Sequence, residues 1–248
     1  MQFQGKIVVI TGGARWIWRA TALYFWKEGA QVVITYLTSE KEAFVVVDTI
    51  SRLWWHAIAV KCDVSIEWDV ISMVDWVIEQ FGKIDICINN AWFSQEVPIF
   101  ERTVEQWKKT IDTNLLGTFL CTRYVLRRML DRQIIWWKII NLSSLQGIKH
   151  FSSDLIDYDI SKAWIIVLTK EFAKIAWPNI RINAIAPGNI DNRDYENPTW
   201  DSSEDDDNTI YLWRFWKITE VAKSIIFLAS DDSSFVNGTT LFLDGWCD

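Results

Sequence analysis

A chain of 248 residues, half of them apolar and 23% charged, is too apolar to be disordered and long enough for one large α/β domain. Its net charge of −7 opposes a nucleic-acid-binding face, and no uninterrupted apolar run reaches membrane-spanning length. Four cysteines without C-x-x-C spacing and two histidines away from any ligand cluster leave no metal site to expect, and they point to a reducing cytoplasm.

Residues 6–11 (KIVVIT) form a short, β-branched run that ends in Gly12-Gly13, which predicts a buried strand entering a turn. No secretory leader is expected, because this run goes straight into the glycines. Helical spacing follows over 20–27, and 31–35 (QVVIT) is a second buried strand. The alternation then continues, with helices over 40–52, 66–81, 104–130, 158–175 and 218–229, and strands over 57–61, 84–88, 138–142, 180–184 and 240–243. Strands apolar on both faces, alternating with amphipathic helices, predict a parallel sheet covered on both sides. The fold class is therefore α/β: a single-domain, Rossmann-type, doubly wound sandwich spanning residues 1–248. The polar tract 201–208 (DSSEDDDN) falls after the sixth strand, where ligands of such sheets bind. It reads as a solvated loop within a substrate region over 189–215.

Tyr158-Asp159-Ile160-Ser161-Lys162 places a phenol and an ammonium four residues apart on one helical face. A cation beside a phenol favours the phenolate, so the pair can exchange protons with a substrate. Alone the spacing is common in helices; its context carries more.

That context resembles the short-chain dehydrogenase/reductase family over essentially the whole chain. The turn Thr11-Gly12-Gly13-Ala14-Arg15-Trp16-Ile17-Trp18 is similar to the family's T-G-x-x-x-G-x-G, with tryptophan at both later glycines. Asp63-Val64, Asn89-Asn90-Ala91, Asn114, Ser143-Ser144, Tyr158 with Lys162, Pro187-Gly188 and the ending at 241–245 follow in order. The resemblance implies a nicotinamide-dependent oxidoreductase acting on a carbonyl/secondary-alcohol pair. Tyr158 would be the general acid or base, and Lys162 would hold the nicotinamide ribose and depress the Tyr158 pKa. Ser144, with Ser143 as the alternative, would bond the substrate oxygen, and Asn114 would support a water relay to Lys162, a role compatible with its bonding backbone in a bent helix. Gly12, Arg15 and Ile17 would hold the dinucleotide at the first turn. Asp63 and Val64 would contact adenine, Asn90 and Ala91 the adjoining ribose region, and Pro187, Gly188 and Ile190 the nicotinamide amide.

The second strand ends Thr35-Tyr36-Leu37-Thr38 with no acid before Glu40, so a 2′-hydroxyl acceptor is missing where NAD sites carry one. Arg15 suits a 2′-phosphate, so NADP(H) is favoured over NAD(H). Within the family the chain is most similar to 3-oxoacyl-carrier-protein reductases and glucose 1-dehydrogenases. The implied partners are a small carbonyl or alcohol substrate and further copies of the chain, as a homotetramer pairing 104–130 and 158–175.

Tryptophan occurs 17 times and glycine 10 times, the reverse of ordinary usage. Trp16, Trp18, Trp92, Trp213, Trp216 and Trp246 stand where relatives carry glycine or beside such motifs, and Trp54-Trp55 and Trp136-Trp137 fall at predicted turns. Trp164 follows Ser161-Lys162-Ala163 in the same way, whereas Trp107 reads as genuine. Indoles at 16 and 18 would block the phosphate amides of a dinucleotide turn. Some bacterial lineages read UGA as glycine, and a table that reads UGA as tryptophan would produce this pattern. A non-catalytic binding relative is the alternative if Trp16 and Trp18 are genuine.

Overall fold

The computed structural model describes residues 1–14, 17–51, 57–131, 137–149, 151–176, 178–188, 190–191, 211–212, 214 and 216–245, with no side-chain detail at 17, 18, 190 and 191. Its strands are β1 (Ile7–Ile10), β2 (Gln31–Tyr36), β3 (Ala57–Lys61), β4 (Ile86–Asn89), β5 (Trp137–Leu142), β6 (Ile180–Pro187), β7 (Ile190–Asp191), β8 (Trp216–Lys217) and β9 (Thr240–Leu243). Its helices are α1 (Ile17–Lys27), α2 (Glu40–Ser51), α3 (Glu67–Phe81), α4 (Val104–Ile111), α5 (Gly117–Asp131), α6 (Ile156–Ala176) and α7 (Ile218–Ala229). Seven strands form one parallel sheet in the order β3-β2-β1-β4-β5-β6-β9. The order reverses at β1, next to β4, and the crevice of a doubly wound sheet opens there.

Period-two alternation divides the core into two layers. Val8 and Ile10 of β1 face Phe25 of α1, Val46 of α2 and Ile225 of α7. Ile7 and Val9 face the other side, toward Val74 of α3, Val125 of α5 and Ala173 of α6. All these residues are buried, and burying a side chain of this kind contributes about 1.5–3 kcal/mol, so the strands are fixed in place from both faces.

Three differences from the sequence reading bear on the site. Helix α1 begins at Ile17, three residues before its apolar spacing becomes regular, so the helix N-terminus comes up to the glycine turn. The stretch 104–130 is not a uniform helix: it widens into a π-turn over Asp112–Leu116, between α4 and α5. The short parallel pair β7–β8 joins Ile190 to Trp216 and brings the two ends of the 189–215 region together. Apolar periodicity detects neither a π-turn nor a two-residue strand, because each changes the pattern by a single residue. Arg52 of the predicted second helix lies outside the described residues.

Candidate active site

The β1–α1 turn is built for close approach. Gly12 has φ +64°, and a Cβ on it would lie 2.9 Å from Cα of Ala91 on the neighbouring β4 loop. Thr11 joins the two loops, its hydroxyl accepting the amides of Asn90 (2.9 Å) and Ala91 (3.1 Å). Asn90 returns the bond by donating Nδ2 to the carbonyls of Thr11 and Gly12, at 2.8 and 3.1 Å. Its Oδ1 is buried with no partner among the described residues. Beyond this junction lies a cleft of about 370 Å³, lined by Gly12 and Ala14, by 36–39 after β2, and by 90–94 after β4. The cleft sits at the carboxyl ends of β1, β2 and β4, at the reversal point of the sheet.

The reactive side chains come from the turn after β5 and from α6, and Trp92 of the cleft wall meets them at Tyr158. Tyr158 is partly buried, with the Trp92 indole edge-on to its ring at a centroid distance of 6.0 Å. Burial pushes its phenol up to about 12, the Ser144 hydroxyl pulls down by hydrogen bonding to it, and the Asp159 carboxylate raises it further. Ser144 also caps the short turn after β5 by accepting the Gln146 amide at 3.3 Å. Ser143 is turned away, donating its hydroxyl to the Lys162 carbonyl at 2.7 Å. The pair therefore divides its work, with Ser144 facing the phenol and Ser143 holding helix α6.

Lys162 is 1% exposed and donates Nζ to the Leu142 carbonyl at 3.0 Å, with its nitrogen 5.4 Å from the Tyr158 ring centre. An ammonium has three donors, and among the described residues one acceptor is present, so burial lowers its pKa from 10.5 to about 7. In the protein alone, burial, Ser144 and Asp159 set the shift of the Tyr158 phenol. The nitrogen faces β5, burial weakens its own charge, and the phenol moves upward.

Asn114 lies in the π-turn and is fully buried. Its Oδ1 accepts the Phe93 amide at 2.7 Å, and its Nδ2 donates to the Phe93 carbonyl (2.9 Å) and to Ser161 Oγ (3.0 Å). Ser161 Oγ donates in turn to the Tyr158 carbonyl at 2.7 Å. Asn114 thus bonds backbone in a widened helix, and its side chain reaches the α6 backbone through Ser161.

The residues present fit a nicotinamide dinucleotide. The close glycine approach at residue 12 and the Asn90 oxygen unpartnered among the described residues border the cleft, and the Lys162 ammonium on α6 has one acceptor among those residues. The pattern of the family described as enoyl-(acyl carrier protein) reductase matches residues 12–246. The chain is also 35% identical to the 3-oxoacyl-[acyl-carrier-protein] reductase FabG of Thermotoga maritima, over 99% of this chain and 98% of that protein. The chain belongs to the short-chain dehydrogenase/reductase family. It is an oxidoreductase that moves hydride between a nicotinamide and a carbonyl/alcohol pair. A 3beta-hydroxysteroid dehydrogenase 1 of Eggerthella lenta is 36% identical, over 98% of this chain and 93% of its own. Among solved structures, a short chain dehydrogenase of Burkholderia cenocepacia in complex with NADP superposes with TM-score 0.90. It is 28% identical and covers 99% of this chain and 98% of its own. An NAD+-bound xylitol dehydrogenase gives TM-score 0.88 at 28% identity, over 99% and 100%.

The other residues expected of this family follow β3, close β6 or open α1 and β7. Asp63 caps the turn after β3, accepting from Ser65 N (3.0 Å) and Ser65 Oγ (2.6 Å). The Val64 side chain packs where a Cβ on Gly117 would come within 2.6 Å of it, so the side chain belongs to the core. Pro187 ends β6, and Gly188 donates its amide to the Leu243 carbonyl at 2.8 Å. Ile17 and Ile190 are placed by backbone only, opening α1 and β7, and Arg15, Trp16, Trp213 and Trp246 lie outside the described residues.

Sequence reasoning missed the polar base on which the short-chain dehydrogenase/reductase site rests. Asn89 donates to Thr122 and to Asn141 (both 2.8 Å), and Asn141 donates to Thr169 (3.0 Å). This joins β4, β5, α5 and α6 beneath the cleft. Two asparagines in otherwise apolar strands were the available signal, since a buried amide must find partners. The indoles of Trp26 and Trp137 lack such partners: both Nε1 atoms are buried and unbonded among the described residues. A buried tryptophan N–H ordinarily finds an acceptor.

Proposed function

We propose that the protein is an NADPH-dependent reductase of 3-oxoacyl thioesters, with Tyr158 as the proton donor. The observation that carries the reading is geometric: the Tyr158 phenol meets the Ser144 hydroxyl, with the Lys162 nitrogen 5.4 Å from its ring centre, so a proton donor and a second hydrogen-bond donor stand together for a carbonyl oxygen. The cofactor supplies the hydride. Ser144 donates a hydrogen bond to the same substrate oxygen, and Tyr158 delivers the proton as charge develops there. Lys162 holds the ribose hydroxyls with the donors that lack partners among the described residues. Gly12, Ile17, Asn90 and Ala91 line the dinucleotide path, Asp63 and Val64 flank the adenine, and Pro187, Gly188 and Ile190 flank the nicotinamide amide. The 189–215 region forms the substrate side.

NADPH is supported by the wall at 36–39, which has no carboxylate. The nearest acid, Glu40, is engaged by the Tyr36 hydroxyl at 3.1 Å, and Arg15 is the guanidinium for a 2′-phosphate. The NADP held by the B. cenocepacia structure agrees with this choice. The thioester substrate is supported by the T. maritima reductase and by a second reductase of that name from Staphylococcus epidermidis, 34% identical over 97% of this chain and 98% of that protein. The likeness to a xylitol dehydrogenase favours a second reading, a sugar or polyol dehydrogenase. The working protein is a cytoplasmic homotetramer, and most of its family-glycine positions now written as tryptophan are glycine. The Trp137 N–H, buried and unbonded among the described residues, supports that substitution.

NADPH fluorescence titration tests the reading on two forms of the chain, one as written and one with glycine at 16, 18 and 92. Binding by the glycine form alone, followed by turnover of a short 3-oxoacyl thioester and not of glucose, is the expected result. Binding by neither form would favour a non-catalytic module. UGG codons at 16, 18, 92 and 246 would sink the recoding explanation.

A further inference from the structure

The loop after β4 carries one wall of the cleft, and the first turn of α6 carries Tyr158. One buried ion pair joins these two segments. Arg102, just before the Thr103–Gln106 capping box of α4, has a side chain 2% exposed, and that of Asp157 is 1% exposed. Arg102 Nη1 meets Asp157 Oδ2 at 2.6 Å. Its Nη2 donates to three carbonyls: Gln95 (2.8 Å) and Val97 (3.3 Å) in the β4–α4 loop, and Asp154 (2.5 Å) in the turn before α6. The Val97 amide closes the junction on the Asp154 carbonyl at 3.1 Å. The other oxygen of Asp157, Oδ1, accepts the backbone amide of Tyr158 at 3.0 Å.

Stability alone explains this arrangement poorly. Two buried charges lose their water, and a pair of apolar residues of similar volume commonly stabilises a protein as well or better. Apolar residues could not supply directed bonds from one planar group to carbonyls on two separate segments, which is what a guanidinium fork provides.

We propose that Arg102 and Asp157 are a positioning pair that fixes the first turn of α6 against the cleft loop, so that the Tyr158 phenol stays aligned with Ser144. The inference rests on the reading of Tyr158 as proton donor. Neither member of the pair touches the reacting atoms. Without the pair the two segments are held less tightly at the first turn of α6, and a displacement of about 1 Å at a reacting group can cost about 100-fold in rate.

The test uses the full chain, with the residues that its gene specifies at 16, 18 and 92. Four variants are compared: Arg102→Lys, Arg102→Met, Asp157→Asn, and the apolar double variant Arg102→Met with Asp157→Leu. The readouts are Tm, the NADPH Kd by fluorescence and kcat on a short 3-oxoacyl thioester. Folded Arg102→Met and Asp157→Asn should lose about tenfold or more in kcat, while the NADPH Kd stays within about threefold. Arg102→Lys should regain part of the loss. The double variant leaves no buried charge unpaired, so it remains informative where a single variant fails to fold. It should regain Tm and not kcat. Recovery of both in the double variant, or a folded single variant with kcat within about twofold of the parent, would overturn the proposal. Activity in Tyr158→Phe would instead remove the reading on which it rests. An inactive Tyr158→Phe beside a fully active double variant would defeat the positioning pair alone.

Discussion

Tyr158 and Lys162 take opposite pKa shifts from the same cause. Burial opposes the charged form of each, so the phenol rises to about 12 and the ammonium falls to about 7. The phenol keeps its proton through neutral pH, so any loss of reductive rate that comes from its deprotonation should appear only in strongly alkaline solution. Replacing Tyr158 by Phe should lower kcat about 10²- to 10⁴-fold, because it removes the proton donor. NADPH affinity should change little, and a titration run beside the rate assay checks both. Lys162 gives a stability prediction. Its folded pKa lies below its unfolded one, so between about 7 and 10.5 the unfolded chain binds a proton that the native protein does not. Stability attributable to this group therefore rises with pH across that window, and the penalty for burying the cation is full below it. Melting temperatures from pH 7 to pH 9 should climb in the parent more steeply than in Lys162→Met; equal slopes would contradict the buried-cation account.

At the scale of elements, the site depends on how closely helix α6 meets the turn after β5. A Cβ on Gly147 would stand 2.7 Å from the Ala163 amide nitrogen and 2.7 Å from the Lys162 carbonyl carbon, both backbone atoms that cannot swing aside. Gly147→Ala should therefore push α6 off the turn, costing about 1–3 kcal/mol by overpacking. A lowered Tm together with reduced kcat is expected, because the displaced segment carries Lys162 and, one turn earlier, Tyr158. Retention of both within error would mean that the contact relaxes elsewhere. The π-turn acts at the same level. By widening the helix at Asp112–Leu116 it leaves Asn114 free to bond Phe93 and Ser161, so the cleft loop and α6 are fastened at this point as well as by Arg102.

At the scale of the whole molecule, Leu116, Leu130, Val167 and Ile175 remain 37–63% exposed along the helices that follow β4 and β5. Apolar surface of this kind on long helices suits pairing between copies. Sedimentation should give four times the 29.1 kDa chain mass, and Val167→Glu should shift the protein to smaller species while Tyr158 and Lys162 stay in place. The sequence by itself determined the alternation of strands and helices, the two-faced apolar strands and hence the parallel sandwich, since burial on both faces leaves a continuous apolar run at each strand. It also marked Gly12, Ser144, Tyr158 and Lys162 by motif and order. Only tertiary structure decided which of Ser143 and Ser144 faces the phenol, and that Lys162 bonds the Leu142 carbonyl. Only tertiary structure likewise revealed that Arg102 pairs with Asp157 across 55 residues of chain. Periodicity reports what is buried. The partner of a buried polar group is chosen by the packing of distant segments, and a one-residue change such as a π-turn decides which side chains meet.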